Sequence, residues 1–262
     1  MLHMNRINRE KTGITNRAMN EKNTEYTPEL LSSLQSRIES AGLMDERRLR
    51  HTLGVSVECG ALARLFGFSE DDVLRLSAAG LLHDITKQRS LSEQLELCRR
   101  YGISYPAGAE HSPKVFHGWT ASALALDEYA EYCDAEMAQA IYEHTTGGEN
   151  MSLFSMLLYL ADYIEPGRTF PDCVRLREYF YAGVQGLSGD ATKVDAPNGD
   201  VPNGDALCGG ATNGDALYMH LLRTLLMSFD MTVRGLLDDG EELFPMTAVA
   251  RNSVLRRIRG EA

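Results

Sequence analysis

The chain has 262 residues, 44% of them apolar, and a net charge of −11. That is enough to bury one substantial core. The acidic balance argues against a nucleic-acid polymer as partner, because such partners are gripped by a general positive field. No apolar run approaches the ~20 residues of a membrane span, and the N-terminus lacks the continuous hydrophobic stretch of a secretory signal.

Residues 1–26 are polar, rich in Asn, Arg and Lys, and without apolar periodicity, so a disordered extension is expected there. An organellar transit peptide would need an amphipathic pattern that this stretch lacks. The domain is expected over 27–262, and its signal is helical. TPELLSSLQSRIESAG (27–42) opens on Thr27 with Pro28 at the first helical position and stops at Gly42. DERRLRHTLGVSVECGALARLFG (45–67) runs from an Asp cap to a glycine, with Leu49, Leu53, Val57 and Leu65 as an apolar stripe. SEDDVLRLSAAGLLHD (69–84) carries acids in its first turn, which suits the helix dipole. SLSEQLELCRRYG (90–102) has a capping box at Ser90 and Glu93.

Further helices are predicted over 115–130, 134–144 and 152–165, the last stopped by Pro166-Gly167, then over 174–183. Residues 186–216 repeat Asn-Gly-Asp three times and read as a flexible insertion. The spaced acids and closing Glu of a calcium loop are missing. Helices resume over 217–240 and 247–260, where Met219, Met227 and Met231 read as core filler. No alternating strand occurs, so the expected class is all-α. Five scattered cysteines (Cys59, Cys98, Cys133, Cys173, Cys208) include no CxxC pair and read as reduced thiols of a cytoplasmic protein.

The chemistry-bearing residues form an ordered series. His51 lies inside a helix, His83 and Asp84 end the next, His117 opens one, and His144 closes one before TTGG. Asp162 sits within the apolar LLYLADYIE, an expensive place for an unpaired carboxylate. His51, His83, Asp84 and Asp162 make a two-His, two-Asp set from three helices, and imidazole with carboxylate suits a borderline divalent metal. His3 falls in the extension. His220 has no partner pattern and reads as structural or exposed.

RLRHTLGVSVECGALA (48–63), AAGLLHDITK (78–87), FHGWTASALA (116–125), EHTTGG (143–148), LYLADYIEPGRTFP (158–171) and TAVARNSVL (247–255) resemble the HD-domain phosphohydrolases of the YqeK type. The resemblance covers about residues 30–183 and 217–259. It implies an HD-domain helical bundle and symmetric splitting of diadenosine tetraphosphate, a dinucleoside polyphosphate, into two ADP. It implies a divalent or trivalent transition metal, iron or a related one, as one ion or two. His51, His83, Asp84 and Asp162 match the metal-holding positions. His117 and His144 match the intervening histidines, which bind either a second metal or substrate phosphate. His117 is preferred over His111 because FHGWTA carries the family context. A homodimer is compatible with this reading.

In such a reaction a metal makes water acidic and polarises phosphoryl oxygen, with Asp84 bridging two metals or orienting the attacking water beside His83. Lys87, three residues after His83-Asp84, is the foremost phosphate candidate, with complementing the helix C-terminus as its alternative. Arg168 and Arg48 follow, each with a solvated-turn or solvated-face alternative. Thr145, Thr146 and Gly147, with Gly148, form a loop that reads as a phosphate or ribose contact, or as an ordinary helix end. Trp119 reads as core rather than as an adenine platform. Two other functions fit the same residues: a different HD nucleotidase or cyclic-nucleotide phosphodiesterase, and a non-catalytic nucleotide sensor.

Overall fold

A computed structural model describes residues 25–188 and 213–261. Their order is α1 (Pro28–Ser40), α2 (Glu46–Leu65), α3 (Glu70–Leu82), α4 (Leu91–Tyr101), two 3₁₀ turns (Ala109–His111, Pro113–Val115), α5 (Phe116–Glu128), α6 (Ala135–Glu143), α7 (Leu153–Ile164), α8 (Pro171–Ser188), α9 (Asn213–Asp238) and α10 (Pro245–Arg259). No strand occurs among the described residues, as an all-α chain requires. The caps read from the sequence are in place. Thr27, Asp45, Ser69 and Ser90 each accept a backbone N–H from the first turn, and Glu93 closes the capping box.

Helix α7 is apolar nearly all round, and such a helix belongs in the interior. Phe154, Met156, Leu157, Leu158, Leu160 and Ala161 are all buried, and α2, α3, α6, α8 and α9 pack around them. The tightest pairing is α2 against α3. It is possible because residue 80 is glycine: a Cβ there would stand 2.8 Å from Ser56 Cα. A second cluster forms where Trp119 packs on Phe116, Tyr105, Tyr142 and Phe244. Trp119 is therefore core, as its sequence context suggests.

Four details depart from the sequence reading. Val57 is not on the buried stripe but 75% exposed; the inward face of α2 is set instead by Thr52, Val55, Cys59 and Leu62. Tyr26 is already buried, and its N–H is held by Asp71, so packing begins inside the stretch read as an extension. Helix α8 continues to Ser188 because Val184 and Leu187 pack on the core. Helix α9 starts at Asn213, where the third Asn-Gly-Asp supplies an acid to the first turn. The rest of the insertion, residues 189–212, and the first 24 residues lie outside the described residues, as do His3 and Cys208.

His220 has a structural role. Its ring stacks on Phe180, its Nε2 sits 3.0 Å from the Phe180 carbonyl oxygen, and it fills the space beside Gly183 that a Cβ would need. Cys59, Cys98, Cys133 and Cys173 are free and buried. No helix among the described residues is long and apolar enough to cross a membrane.

Candidate metal centre

Five helices deliver the six residues of the H…HD…H…H…D series to one place. His51 comes from the second turn of α2, His83 and Asp84 from just past the end of α3, His117 from the first turn of α5, His144 from the end of α6, and Asp162 from the last turn of α7. Asp162 Oδ1 lies 2.9 Å from His51 Nε2 and 3.7 Å from His83 Nε2. Asp84 faces both ways. Its Oδ2 is 3.3 Å from His83 Nε2 and 3.8 Å from His51 Nε2, while its Oδ1 is 3.3 Å from His117 Nε2 and 3.6 Å from His144 Nε2.

The ring orientations have a local cause. His83, His117 and His144 each place Nδ1 on the carbonyl three residues earlier: Gly80 at 2.6 Å, Lys114 at 2.5 Å and Ile141 at 2.6 Å. A carbonyl can only accept, so Nδ1 carries a proton in each ring and Nε2 is the end offered to the centre. His51 turns Nδ1 to Glu165 Oε1 at 3.0 Å instead. A carboxylate behind an imidazole fixes its tautomer and strengthens the other nitrogen as a donor to a cation.

Three of the atoms aimed at the centre, His51 Nε2, His83 Nε2 and Asp84 Oδ1, are buried and make no hydrogen bond. His117 Nε2 and His144 Nε2 face each other at 3.0 Å. Buried polar atoms left without partners around a common space are costly unless something fills it and satisfies them. The ligand atoms fall into overlapping sets within 4.8 Å of one another: His51, His83 and Asp84; His83, His144 and Asp162; Asp84, His117 and His144. The nitrogen–oxygen donor set therefore fits one or two transition-metal ions.

The electrostatics agree. Burial opposes ionisation of both acids, yet Asp84 is held well below the usual carboxylate range by His83 and Lys87, and Asp162 by Arg168 and His51. Burial also resists charge on His83, but the two acids outweigh it and raise its pKa to about 10. The same pair of carboxylates that traps a proton on His83 would trap a cation. His117 is pushed down to about 3, by burial first and then by Lys87, and His144 is lowered by burial.

Cations ring the acids. Arg48 Nη1 donates to Asp84 Oδ2 at 2.7 Å, and Arg168 Nη2 donates to Asp162 Oδ1. Lys87 Nζ lies 2.9 Å from His117 Nε2 and 3.8 Å from Asp84 Oδ1. Thr145 Oγ1 joins the cluster, 3.1 Å from His117 Nε2 and 3.2 Å from His144 Nε2. Its two neighbours turn elsewhere. Thr146 donates its hydroxyl to the Gly147 carbonyl, and Gly147, at φ +70°, backs onto Phe229 and Ala250. His111 stays on the surface beside Glu242.

Sequence reasoning missed Glu165. It lies one residue beyond α7, in the EPGR turn, and its Oε2 also accepts the Gly167 N–H at 2.6 Å. A buried acid beside a turn looks like an ordinary cap, and only the distant partner His51 gives it another meaning. Replacing Glu165 with glutamine is expected to weaken metal affinity by about 10–100-fold, as removal of such supporting carboxylates does. Chelator competition measures this, and equal affinities would deny Glu165 any hold on His51.

An HD domain model matches residues 48–167, which contain all six residues of the series. The chain is 32% identical over 138 residues to the symmetrical bis(5'-nucleosyl)-tetraphosphatase of Staphylococcus aureus, an alignment covering 53% of this chain and 69% of that protein. It is 33% identical over 136 residues to the Bacillus subtilis protein of the same name, covering 52% and 70%. Among solved structures it is similar to a predicted HD superfamily hydrolase involved in NAD metabolism from Clostridium acetobutylicum. The TM-score is 0.64 at 27% identity, with 86% of this chain and 97% of that one covered. With the H…HD…H…H…D residues gathered on one centre and these likenesses across it, the chain belongs to the HD-domain phosphohydrolases of the YqeK type.

Proposed function

We propose that the protein hydrolyses diadenosine tetraphosphate symmetrically and releases two ADP. The observation that carries this is the convergence of four Nε2 atoms on the two oxygens of Asp84 and on Asp162, with Arg48, Lys87 and Arg168 around them. The names of the relatives supply the substrate class.

We assign His51, His83, Asp84 and Asp162 to one metal position and His117, His144 and Asp84 to a second, with Asp84 shared and iron the expected element. Metal bound there supplies Lewis acidity toward water and phosphoryl oxygen. The chain's residues do the rest. His83 and Asp84 hold the centre, with Asp84 as the link between its halves. Arg168 and Arg48 present planar forks at the edge of the acids, suited to bidentate contact with phosphate oxygens. Lys87, whose pKa burial lowers, brings a compact ammonium to the same edge. Thr145 offers a hydroxyl between the two outer imidazoles. Charge in this reaction is spread over phosphate oxygens, so positioning and electrostatic stabilisation do most of the work.

The test is product analysis. Purified protein incubated with diadenosine tetraphosphate should yield ADP alone. A mixture of AMP and ATP, or turnover only of mononucleotides or cyclic nucleotides, overturns the assignment; tight nucleotide binding without turnover would favour a sensor. Elemental analysis after anaerobic purification checks for iron at up to two atoms per chain.

Metal uptake should also depend on pH. His83 keeps its proton in the metal-free centre up to about pH 10. Below that value a cation must displace the proton, so affinity should rise by about tenfold per pH unit between pH 6.5 and 8.5. Titrations at those two pH values check it, and a flat profile would show that no proton is exchanged.

A further inference from the structure

A cavity of about 190 Å³ opens directly beside the metal centre and shares Lys87 and His117 with it. Arg89 and Lys114 also line it, together with Leu91, Gln94 and Pro113. No acid is among the lining residues, although the chain as a whole carries a net charge of −11. Three cations without a lining carboxylate, next to a phosphohydrolase centre, call for an anion.

The state of each polar group narrows what that anion touches. Gln94 is spent: its amide nitrogen donates to the Thr86 carbonyl at 2.6 Å and its oxygen accepts the Thr120 hydroxyl. Arg48 and Arg168 lie against Asp84 and Asp162 at the metal centre and do not line this cavity. Lys114 is not so engaged. Its side chain is 75% exposed, and its Nζ makes only a long ion pair, 4.0 Å from Glu241 Oε2, too far for a hydrogen bond. Arg89 is half-buried, and Glu93, the acid it influences, already accepts the backbone N–H and hydroxyl of Ser90 at 2.7 and 2.6 Å. The volume falls below the ~300–1,000 Å³ of a site that encloses a whole small-molecule ligand. It suits a pair of phosphates and leaves a nucleoside outside.

We propose that this cavity holds the diphosphate of the departing nucleoside diphosphate, and that Arg89 and Lys114 select for substrates carrying one. This rests on the hydrolytic reading above. In the cleavage step, water oxygen forms a bond to phosphorus on one side of the central bridging oxygen, and the bond from that phosphorus to the bridging oxygen breaks. The electron pair stays on the bridging oxygen, which becomes a terminal oxygen of the leaving ADP, and the water's two protons pass to solvent. Lys87 stands at the junction between centre and cavity, where that oxygen's charge grows. Arg89 and Lys114 hold the phosphates behind it.

The test uses the full, metal-loaded chain with Arg89→Ala, Lys114→Ala and the double variant. Binding of inorganic pyrophosphate is measured by calorimetry. The kcat/KM for diadenosine tetraphosphate is compared with that for bis(p-nitrophenyl) phosphate, a small ester with no diphosphate. The double variant should bind pyrophosphate about 10–100-fold more weakly, in line with the loss of two charge-assisted contacts. Its loss of kcat/KM on the tetraphosphate should exceed its loss on the small ester by at least about tenfold. Unchanged pyrophosphate affinity overturns the proposal, as does a parallel fall with both substrates. If the wild type leaves the tetraphosphate intact, the substrate assignment fails on its own, and the pyrophosphate measurement still decides the cavity.

Discussion

Replacing Asp84 with alanine should abolish turnover, with kcat/KM falling by about 10³-fold or more. Among the described residues the carboxylate lies within reach of all four imidazoles, so its loss opens both of the proposed metal positions at once. A metal's Lewis acidity is worth several kcal/mol of transition-state stabilisation, and each 1.36 kcal/mol is tenfold in rate. The change also strands Arg48 and Lys87, which face Asp84 at 2.7 and 3.8 Å. Breaking a buried pair by removing one partner costs about 3–5 kcal/mol of stability. Asp84→Asn separates the two effects, because it keeps the shape and a hydrogen-bond acceptor while lowering the charge. Both variants should lose activity and metal by elemental analysis, and the asparagine variant should keep more of its thermal stability. Wild-type turnover in a folded Asp84→Ala protein would remove this centre from the reaction.

The second large effect is expected at Gly80, a position with no direct role in chemistry. Valine there would put Cβ 2.8 Å from Ser56 Cα, 3.0 Å from Ser56 N and 3.3 Å from Cys59 Sγ. Two of those atoms are backbone, so the clash is relieved only by parting α2 from α3. A helical glycine replaced by a side chain ordinarily gains up to about 1 kcal/mol in propensity. Overpacking of this kind costs about 1–3 kcal/mol and more when backbone must move, so the clash wins. A net loss of ~2–3 kcal/mol corresponds to a Tm lower by about 4–12 °C in a domain of this size. Because the Gly80 carbonyl anchors His83 Nδ1, metal affinity should fall together with Tm. A Gly80→Val protein with unchanged Tm would mean that the helix pair tolerates a wider spacing.

The caps, the helical class and the H…HD…H…H…D order were legible because each is written in short stretches of chain. Ser90 and Glu93, or Pro166-Gly167 after α7, act on their own neighbours. Val57 was misplaced because Leu49, Leu53, Val57 and Leu65 do share one face of an ideal helix, yet burial depends on which neighbours arrive. The paired oxygens of Asp84 could not be read from the chain: α5 and α6 bring His117 and His144 to one of them, α2 and α3 bring His51 and His83 to the other. Glu165 was invisible for the same reason, since its partner is 114 positions away. The Thr145–Gly147 loop divides for a steric reason. Gly147 is the residue that adopts positive φ under Phe229, and this turns Thr146 inward while leaving Thr145 beside the imidazoles.

Three of the four imidazoles are braced by a carbonyl from the same short peptide, three positions back, and two of those carbonyls, of Gly80 and Ile141, lie at helix ends where the backbone would otherwise want a partner. Those rings can take up their poses before the helices meet. Assembly then only has to dock prefabricated parts at the right spacing. Evolution could rewrite much of the surrounding interior and keep the histidine–aspartate cluster, provided each tripeptide brace travels with its histidine.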